Sequence, residues 1–310
     1  MLYVVEDITD KTAWYPNYLS GLKRGLDNNK VDYVFTSILP QGVNDPVLLT
    51  RYTLFELVRN SANPPKNIFI QEHDVWNPFT VDMNPESLSF YHHPALKGIL
   101  FTHPSMIEWG QRCLKSNSGV TITAGGFPYN HDFINERIKN LKPASEREKL
   151  IVFPGRLNEF YQPYLSVRLG IELLERGYRV VIASPINPMD YYPVDIWREI
   201  GFEVGRYSQP DFYTLLSEAT AAISMTIGGS LTLSLYEAHL LGAKAILPKG
   251  KVGLAPFTEM FTPRFDLLNP GEAIEILDND VKIDIDTKWF SEQYYTETLL
   301  NLIELKNRTQ

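Results

Sequence analysis

The chain has 310 residues, 44% of them apolar and 21% charged, with a net charge of −8. That length suits two domains of about 150 residues, and the composition excludes disordered and fibrous classes. No run of about 18 apolar residues occurs, so no membrane-spanning helix is expected. The opening stretch MLYVVEDITD turns acidic at Glu6 and reads as a first strand, not a signal peptide. One cysteine, Cys113, can form neither an internal disulfide nor a thiolate metal cage, which points to a reducing, cytoplasmic setting.

In chain order, Leu2–Val5 is a strand and residues 17–28 have the apolar spacing of a helix. Residues 31–35 are strand-like, and 47–59 read as an amphipathic helix with Leu48, Leu49, Leu54, Phe55 and Val58 on one face. Residues 67–71, 98–102 and 120–123 are short apolar strands. Such runs separated by helices indicate a parallel sheet. Residues 139–149 are charged, contain a proline and read as a linker. The pattern then restarts with strands at 150–153, 178–183, 221–225 and 243–247. The helices between them fall at 164–176, 211–219 and 232–241, with Asp211 as the expected N-cap of the second. The fold expected is α/β, with two Rossmann-like doubly wound domains facing across a cleft.

Charge divides unevenly between the halves. Residues 1–145 carry 13 basic and 14 acidic groups, or −1; residues 146–310 carry 16 and 23, or −7. An acidic total argues against gripping nucleic acid by charge alone, while a near-neutral first half still admits a polyanion.

The densest motif is TIGGSLTLSLYEAHLLGAKAILP at 226–248. Gly228 and Gly229 permit a turn, Ser230 can cap a helix, and the N–H groups of Leu231, Thr232 and Leu233 can hold a diphosphate. Glu237, about a turn and a half on, can accept hydrogen bonds from a ribose diol. The plain alternative is a strand–helix junction whose Glu237 is a solvated charge. Other strand ends carry matching chemistry. Arg156 can clamp the same diphosphate, Ser184 adds a polar contact, and Arg206 with Tyr207 can meet a base.

These residues carry a resemblance. FPGRL at 153–157, EAHLLG at 237–242 and NPGEAIEIL at 269–277 resemble the donor domain of retaining glycosyltransferases of the GT-B fold, family 4 type. Trp289, Phe290, Tyr294 and Tyr295 resemble the terminal helix that crosses back to the first domain. The resemblance covers 150–308. It implies a first, acceptor-side domain over 1–145, a donor-binding domain over 150–288 and a returning helix over 289–310. It departs at Gly229, where the family commonly has a glutamate, and at Tyr161 and Gln162, where a lysine is usual. Arg156, helped by Arg206, is left as the main cation.

The resemblance implies a nucleotide-diphosphate sugar as co-substrate, UDP-linked by preference, with no other cofactor and no metal. It also implies front-face attack, with the leaving phosphate taking the acceptor proton. His73 and Asp74 end a strand, where they suit contact with the sugar and the acceptor hydroxyl, and the family has a similar histidine–aspartate pair. His103 follows the next strand. This pairing is similar to that of phage DNA α-glucosyltransferases, which makes hydroxymethylated DNA the leading acceptor. Trp14, Tyr15, Tyr18 and Trp76 are the aromatics expected to stack on an extruded base. His73 and His103 would add charge there below about pH 6.5. A glycan, lipid or small-molecule acceptor is the alternative, followed by an epimerase or hydrolase and by a non-catalytic nucleotide-sugar-binding module. The triplets Asp278-Asn-Asp280 and Asp284-Ile-Asp286 and the pair His92-His93 are read as solvated or structural, not as metal sites. The oligomeric state is not legible.

Overall fold

A computed structural model describes residues 1–10, 12, 14–73, 92–107, 110–111, 119–158, 161–185, 192–226, 233–249, 261–279 and 281–307. Two compact units emerge, Met1–Asn130 with Thr287–Gln310, and His131–Asp286.

The first unit runs β1 (Leu2–Val5), α1 (Trp14–Asn28), β2 (Tyr33–Thr36), β3 (Pro46–Leu49), a 3-10 turn (Tyr52–Leu54), α2 (Phe55–Arg59), β4 (Asn67–Glu72), β5 (Leu96–Phe101) and β6 (Thr121–Ala124). Its strands make one sheet in the order β2-β1-β3-β4-β5-β6, every pair parallel. Val47–Leu49 are wholly buried, as are Ile68 and Ile70, because a parallel sheet is covered on both faces. This corrects the helix expected over 47–59. A contiguous apolar triplet fits a buried strand as well as a buried helix turn. Pairing with β1 on one side and β4 on the other decides for strand, and only Phe55–Arg59 stays α-helical.

The second unit runs α3 (Asp132–Ile138), β7 (Leu150–Pro154), α4 (Pro163–Glu175), β8 (Arg179–Ser184), α5 (Val194–Ile200), β9 (Glu203–Arg206), α6 (Gln209–Glu218), β10 (Ala221–Ile223), α7 (Leu233–Leu240), β11 (Lys244–Ile246), β12 (Phe261–Thr262), α8 (Gly271–Asp278) and β13 (Asp284–Ile285). Five strands pair in parallel in the order β11-β10-β7-β8-β9, while β12 and β13 form a small antiparallel pair. The expected N-cap of α6 shifts by three residues. Ser208 is extended, and its hydroxyl accepts from Asp211 N–H at 3.3 Å. Gln209 and Pro210 supply the first turn, so Asp211 lies inside the helix and accepts the Ser208 hydroxyl at 2.5 Å.

Each sheet reverses its winding once, between β1 and β3 in the first unit and between β7 and β10 in the second. At such a reversal the flanking connections diverge and leave a crevice beyond the carboxyl ends of the strands.

The first unit is completed by a 3-10 turn (Thr287–Phe290) and α9 (Glu292–Asn307), which packs on α1. Tyr295 carries the contact inward. Its hydroxyl pairs with Tyr18 at 2.8 Å and donates to Gln71 Oε1 at 2.7 Å. Two glycines let α1 sit close: a methyl at Gly21 would overlap the Pro128 carbonyl, and one at Gly25 would overlap Thr296. Gly21→Ala is therefore expected to destabilise the protein by at least about 1 kcal/mol in urea unfolding, although alanine favours helix by about 1 kcal/mol.

Candidate functional site

In the second unit, the crevice between β7 and β10 is lined by Gly155, Arg156, Tyr161, Ser166, Ile223 and Met225, among others. Gly155 has φ +150°, and the Tyr161 ring occupies the place where a side chain would stand. Leu157 is buried and anchors the turn, whereas Arg156 is exposed. The Arg156 side chain makes no hydrogen bond or ion pair among the described residues. Thr226, just beyond β10, is buried with its hydroxyl unpartnered among the described residues.

Neighbouring strand ends converge on the same edge. Ser184 is buried at the end of β8, and its carbonyl accepts from Tyr207 N–H at 3.1 Å, stitching β8 to the end of β9. Arg206 is exposed and Tyr207 half-buried; burial, then the Glu203 carboxylate, raises the Tyr207 phenol above its usual pKa. Glu237 lies half-buried on α7 and accepts the Tyr213 hydroxyl at 2.6 Å, while Tyr213 accepts from Gln209 Nε2 at 2.9 Å. Glu237 is thus a held carboxylate and not a solvated surface charge. Beside it, the Tyr236 hydroxyl pairs with His131 Nε2 at 2.8 Å, and burial pushes its pKa up to about 12. Leu233 opens α7, while Gly229, Ser230, Leu231 and Thr232 lie outside the described residues.

In the first unit, the β1–β3 reversal is built around Tyr15. Its oxygen accepts from Asp7 N–H at 2.6 Å and its proton goes to Thr50 Oγ1 at 2.7 Å, because the Thr50 hydroxyl donates onward to the Val5 carbonyl at 2.8 Å. Asp10 receives the Arg51 guanidinium and Thr12 N–H, and Arg51 in turn lies 5.6 Å from the Trp14 ring centre. His73 is 3% exposed, with the rings of Trp14, Tyr18 and Phe127 at 4.7, 4.6 and 6.2 Å. Burial, then the Arg51 charge, lowers its pKa to about 3, so the ring is neutral. Nε2 donates to the Thr50 carbonyl at 3.1 Å, leaving Nδ1 as a lone-pair acceptor without a partner among the described residues. His103 is buried beyond β5, 5.1 Å from the Trp289 ring.

No protein-family model and no curated protein matches this chain. Solved structures do. The E. coli trehalose-6-phosphate protein bound with UDP-2-fluoro glucose superposes with a TM-score of 0.67 over 98% of both chains, at 9% identity. TarM gives 0.60 at 11% identity, covering 84% of this chain and 54% of its own, so the chain spans about half the length of TarM. The trehalose 6-phosphate synthase of Burkholderia multivorans gives 0.60 at 11% identity, over 86% of this chain and 71% of that one.

The fold is GT-B.

In this GT-B frame the expected residues divide into groups. Arg156, Ser184, Arg206, Tyr207, Leu233 and Glu237 all lie in the second unit at or near carboxyl ends of its strands, or on the helix after β10. His73, His103, Trp14 and Tyr15 lie in the first unit beyond β1, β4 and β5, and Asp74 and Trp76 lie outside the described residues. Two expectations need correction. Tyr15 and Tyr18 are buried, with both hydroxyls engaged, so neither ring can stack on a base; Trp14 is half-buried against Tyr15, Tyr18, His73 and Arg51. His73 cannot charge near pH 6.5, because its cage and Arg51 oppose the imidazolium. Asp278 ends α8 in an ion pair with Arg176 at 2.8 Å, and no cluster of three or more metal-ligating side chains occurs among the described residues. Among those residues, no helix is long and apolar enough to cross a membrane. Sequence reading missed the Tyr213–Glu237 contact. The i,i+4 spacing of Gln209 and Tyr213 on α6 was its one local trace.

Proposed function

We propose that the protein is a retaining glycosyltransferase that moves a sugar from a UDP-sugar to an acceptor hydroxyl. The observation that carries this reading is the β7–β10 crevice. At its edge stands an exposed Arg156, unpaired among the described residues, and on the helix that follows β10 stands a held carboxylate, Glu237. A guanidinium for diphosphate and a carboxylate for a ribose diol are the two charges that a nucleotide-diphosphate sugar needs. The tyrosine at the end of β9 supplies a ring for the base. UDP in complex with TarM and UDP-2-fluoro glucose in the E. coli protein support the choice of nucleotide.

In the reaction proposed, the bond from the anomeric carbon to the diphosphate oxygen breaks while the acceptor oxygen bonds on the same face. The acceptor proton passes to the departing phosphate. Arg156 and the N-terminal turn of α7 would stabilise the charge that develops there. His73, neutral and buried at the end of β4, and Asp74, next to it in sequence, would belong to the acceptor side in this proposal.

The acceptor we propose is a glycan, lipid or small-molecule hydroxyl. The DNA reading is weakened by Tyr15 and Tyr18, two of the four aromatics expected to stack on a base, which lie in the core. The test is mass spectrometry of products from a panel of UDP-sugars, with oligosaccharide, glycerol-phosphate and hydroxymethylated DNA acceptors in parallel. Transfer with retained anomeric configuration supports the reading, and transfer only to DNA restores the acceptor argued against here. UDP binding without turnover leaves a binding module, and sugar release or isomerisation without acceptor leaves a hydrolase or epimerase.

Two further outcomes are expected. Glu237→Ala should weaken UDP binding in calorimetry by about 1.5–2 kcal/mol, the scale of a hydrogen bond to a charged group. Activity should survive EDTA, since a guanidinium and helix N–H groups carry the phosphate charge in this proposal. Loss in chelator, restored by Mg²⁺ or Mn²⁺, would show a metal requirement.

A further inference from the structure

We propose that Tyr213 is a positioning residue that sets the preference of the nucleotide site for ribose over deoxyribose by orienting Glu237. The inference rests on the donor-site reading above. Tyr213 is 3% exposed and belongs to α6, whereas Glu237 belongs to α7, so the bond between them joins two helices 24 residues apart in sequence. At 2.6 Å it has the length of a hydroxyl donating to an ionised carboxylate. The same tyrosine oxygen accepts from Gln209 Nε2 at 2.9 Å, so its single proton is committed to Glu237 Oε1. Tyr213 therefore acts on a ligand through Glu237.

The arrangement bears on recognition for two reasons. A glutamate side chain has three rotatable torsions, and fixing them before the ligand arrives lowers the entropy lost on binding. A carboxylate has about four acceptor positions, of which Tyr213 takes one, and a vicinal diol calls for two more. Gln209, the other end of the chain, sits in the first turn of α6, two residues after Tyr207. The sequence Gln209–Tyr213–Glu237 thus runs from the segment assigned to the base to the carboxylate assigned to the ribose. Loss of the tyrosine hydroxyl frees the carboxylate to adopt other rotamers, and the diol bears that ordering cost while a deoxyribose, which offers one hydroxyl fewer, bears less of it.

The experiment compares UDP and 2′-deoxy-UDP binding by calorimetry in the whole protein, its Tyr213→Phe variant and its Glu237→Gln variant. Tyr213→Phe is expected to weaken UDP binding about three- to tenfold and 2′-deoxy-UDP binding less than about twofold. In transfer assays the same variant should raise KM for the UDP-sugar with kcat little changed. Gln209→Ala, a substitution in the half-exposed first turn of α6, should shift the binding ratio in the same direction by less, and it decides the matter if Tyr213→Phe does not fold. Equal weakening of both ligands, or none, overturns the inference. If Glu237→Gln abolishes the ribose preference while Tyr213→Phe keeps it, the donor-site reading stands and the role of Tyr213 falls. If Glu237→Gln also keeps it, the ribose assignment of Glu237 falls and takes the inference with it.

Discussion

Arg156→Ala is expected to cut kcat by about a hundred- to a thousandfold, the effect of removing one electrostatic contact to a developing oxyanion. The side chain is exposed and makes no bond among the described residues, so its removal should change stability by less than about 0.5 kcal/mol. Those two expectations together distinguish a functional arginine from a structural one. The neighbouring turn does hold structure: Gly155 is fixed by its backbone and by the Tyr161 ring, and Leu157 is buried, which presents Arg156 at a set position on the crevice edge. Arg156→Lys should recover part of the rate, because it keeps the charge but loses the planar two-donor fork. Single-turnover transfer and urea unfolding on the same preparations check both halves. A variant with wild-type turnover would remove Arg156 from the phosphate site.

The parallel strands were legible because they are short apolar runs bounded by polar ends; β4 and β8 lie within a residue or so of where periodicity places them. The positions of Arg156, Ser184, Arg206 and Tyr207 at strand ends were legible for a related reason: each follows an apolar run that forms a strand of the second sheet. What escaped was set by contacts between distant segments. Residues 47–49 look like part of a helix until β1 and β4 pair with them. Tyr15 looks like a surface aromatic on a polar loop. Its burial depends on Thr50 and Asp7 N–H, and no local pattern announces a hydroxyl held by a second strand end. The Tyr213–Glu237 bond is likewise invisible to spacing, since the two residues lie on separate helices.

Stability is expected to fall by about 3 kcal/mol between pH 7 and pH 4 through His73 alone. In the unfolded chain this histidine takes a proton near pH 6.5, whereas in the fold it stays neutral down to about pH 3. Between those values the unfolded state binds more protons, so stability rises with pH and is lost on acidification through the window from 6.5 to 3. The cause is local. Trp14, Tyr18 and Phe127 exclude water from the ring, Arg51 opposes a second positive charge, and the carboxylate nearest to Arg51, Asp10, is already paired with it. His73→Gln keeps an amide N–H to offer to the Thr50 carbonyl but removes the titration. The variant should start less stable at pH 7, and the gap to the wild type should close by about 3 kcal/mol on acidification to pH 4. Denaturant unfolding of the pair across this range cancels the carboxylates that both proteins share. A gap independent of pH would mean that the folded imidazole takes its proton near pH 6.5, as in the unfolded chain, so that the cage does not hold it neutral on acidification. With the gap closing as expected, the transfer rate between pH 6 and 8 should carry no inflection from His73, and any inflection there must come from a group outside this cage.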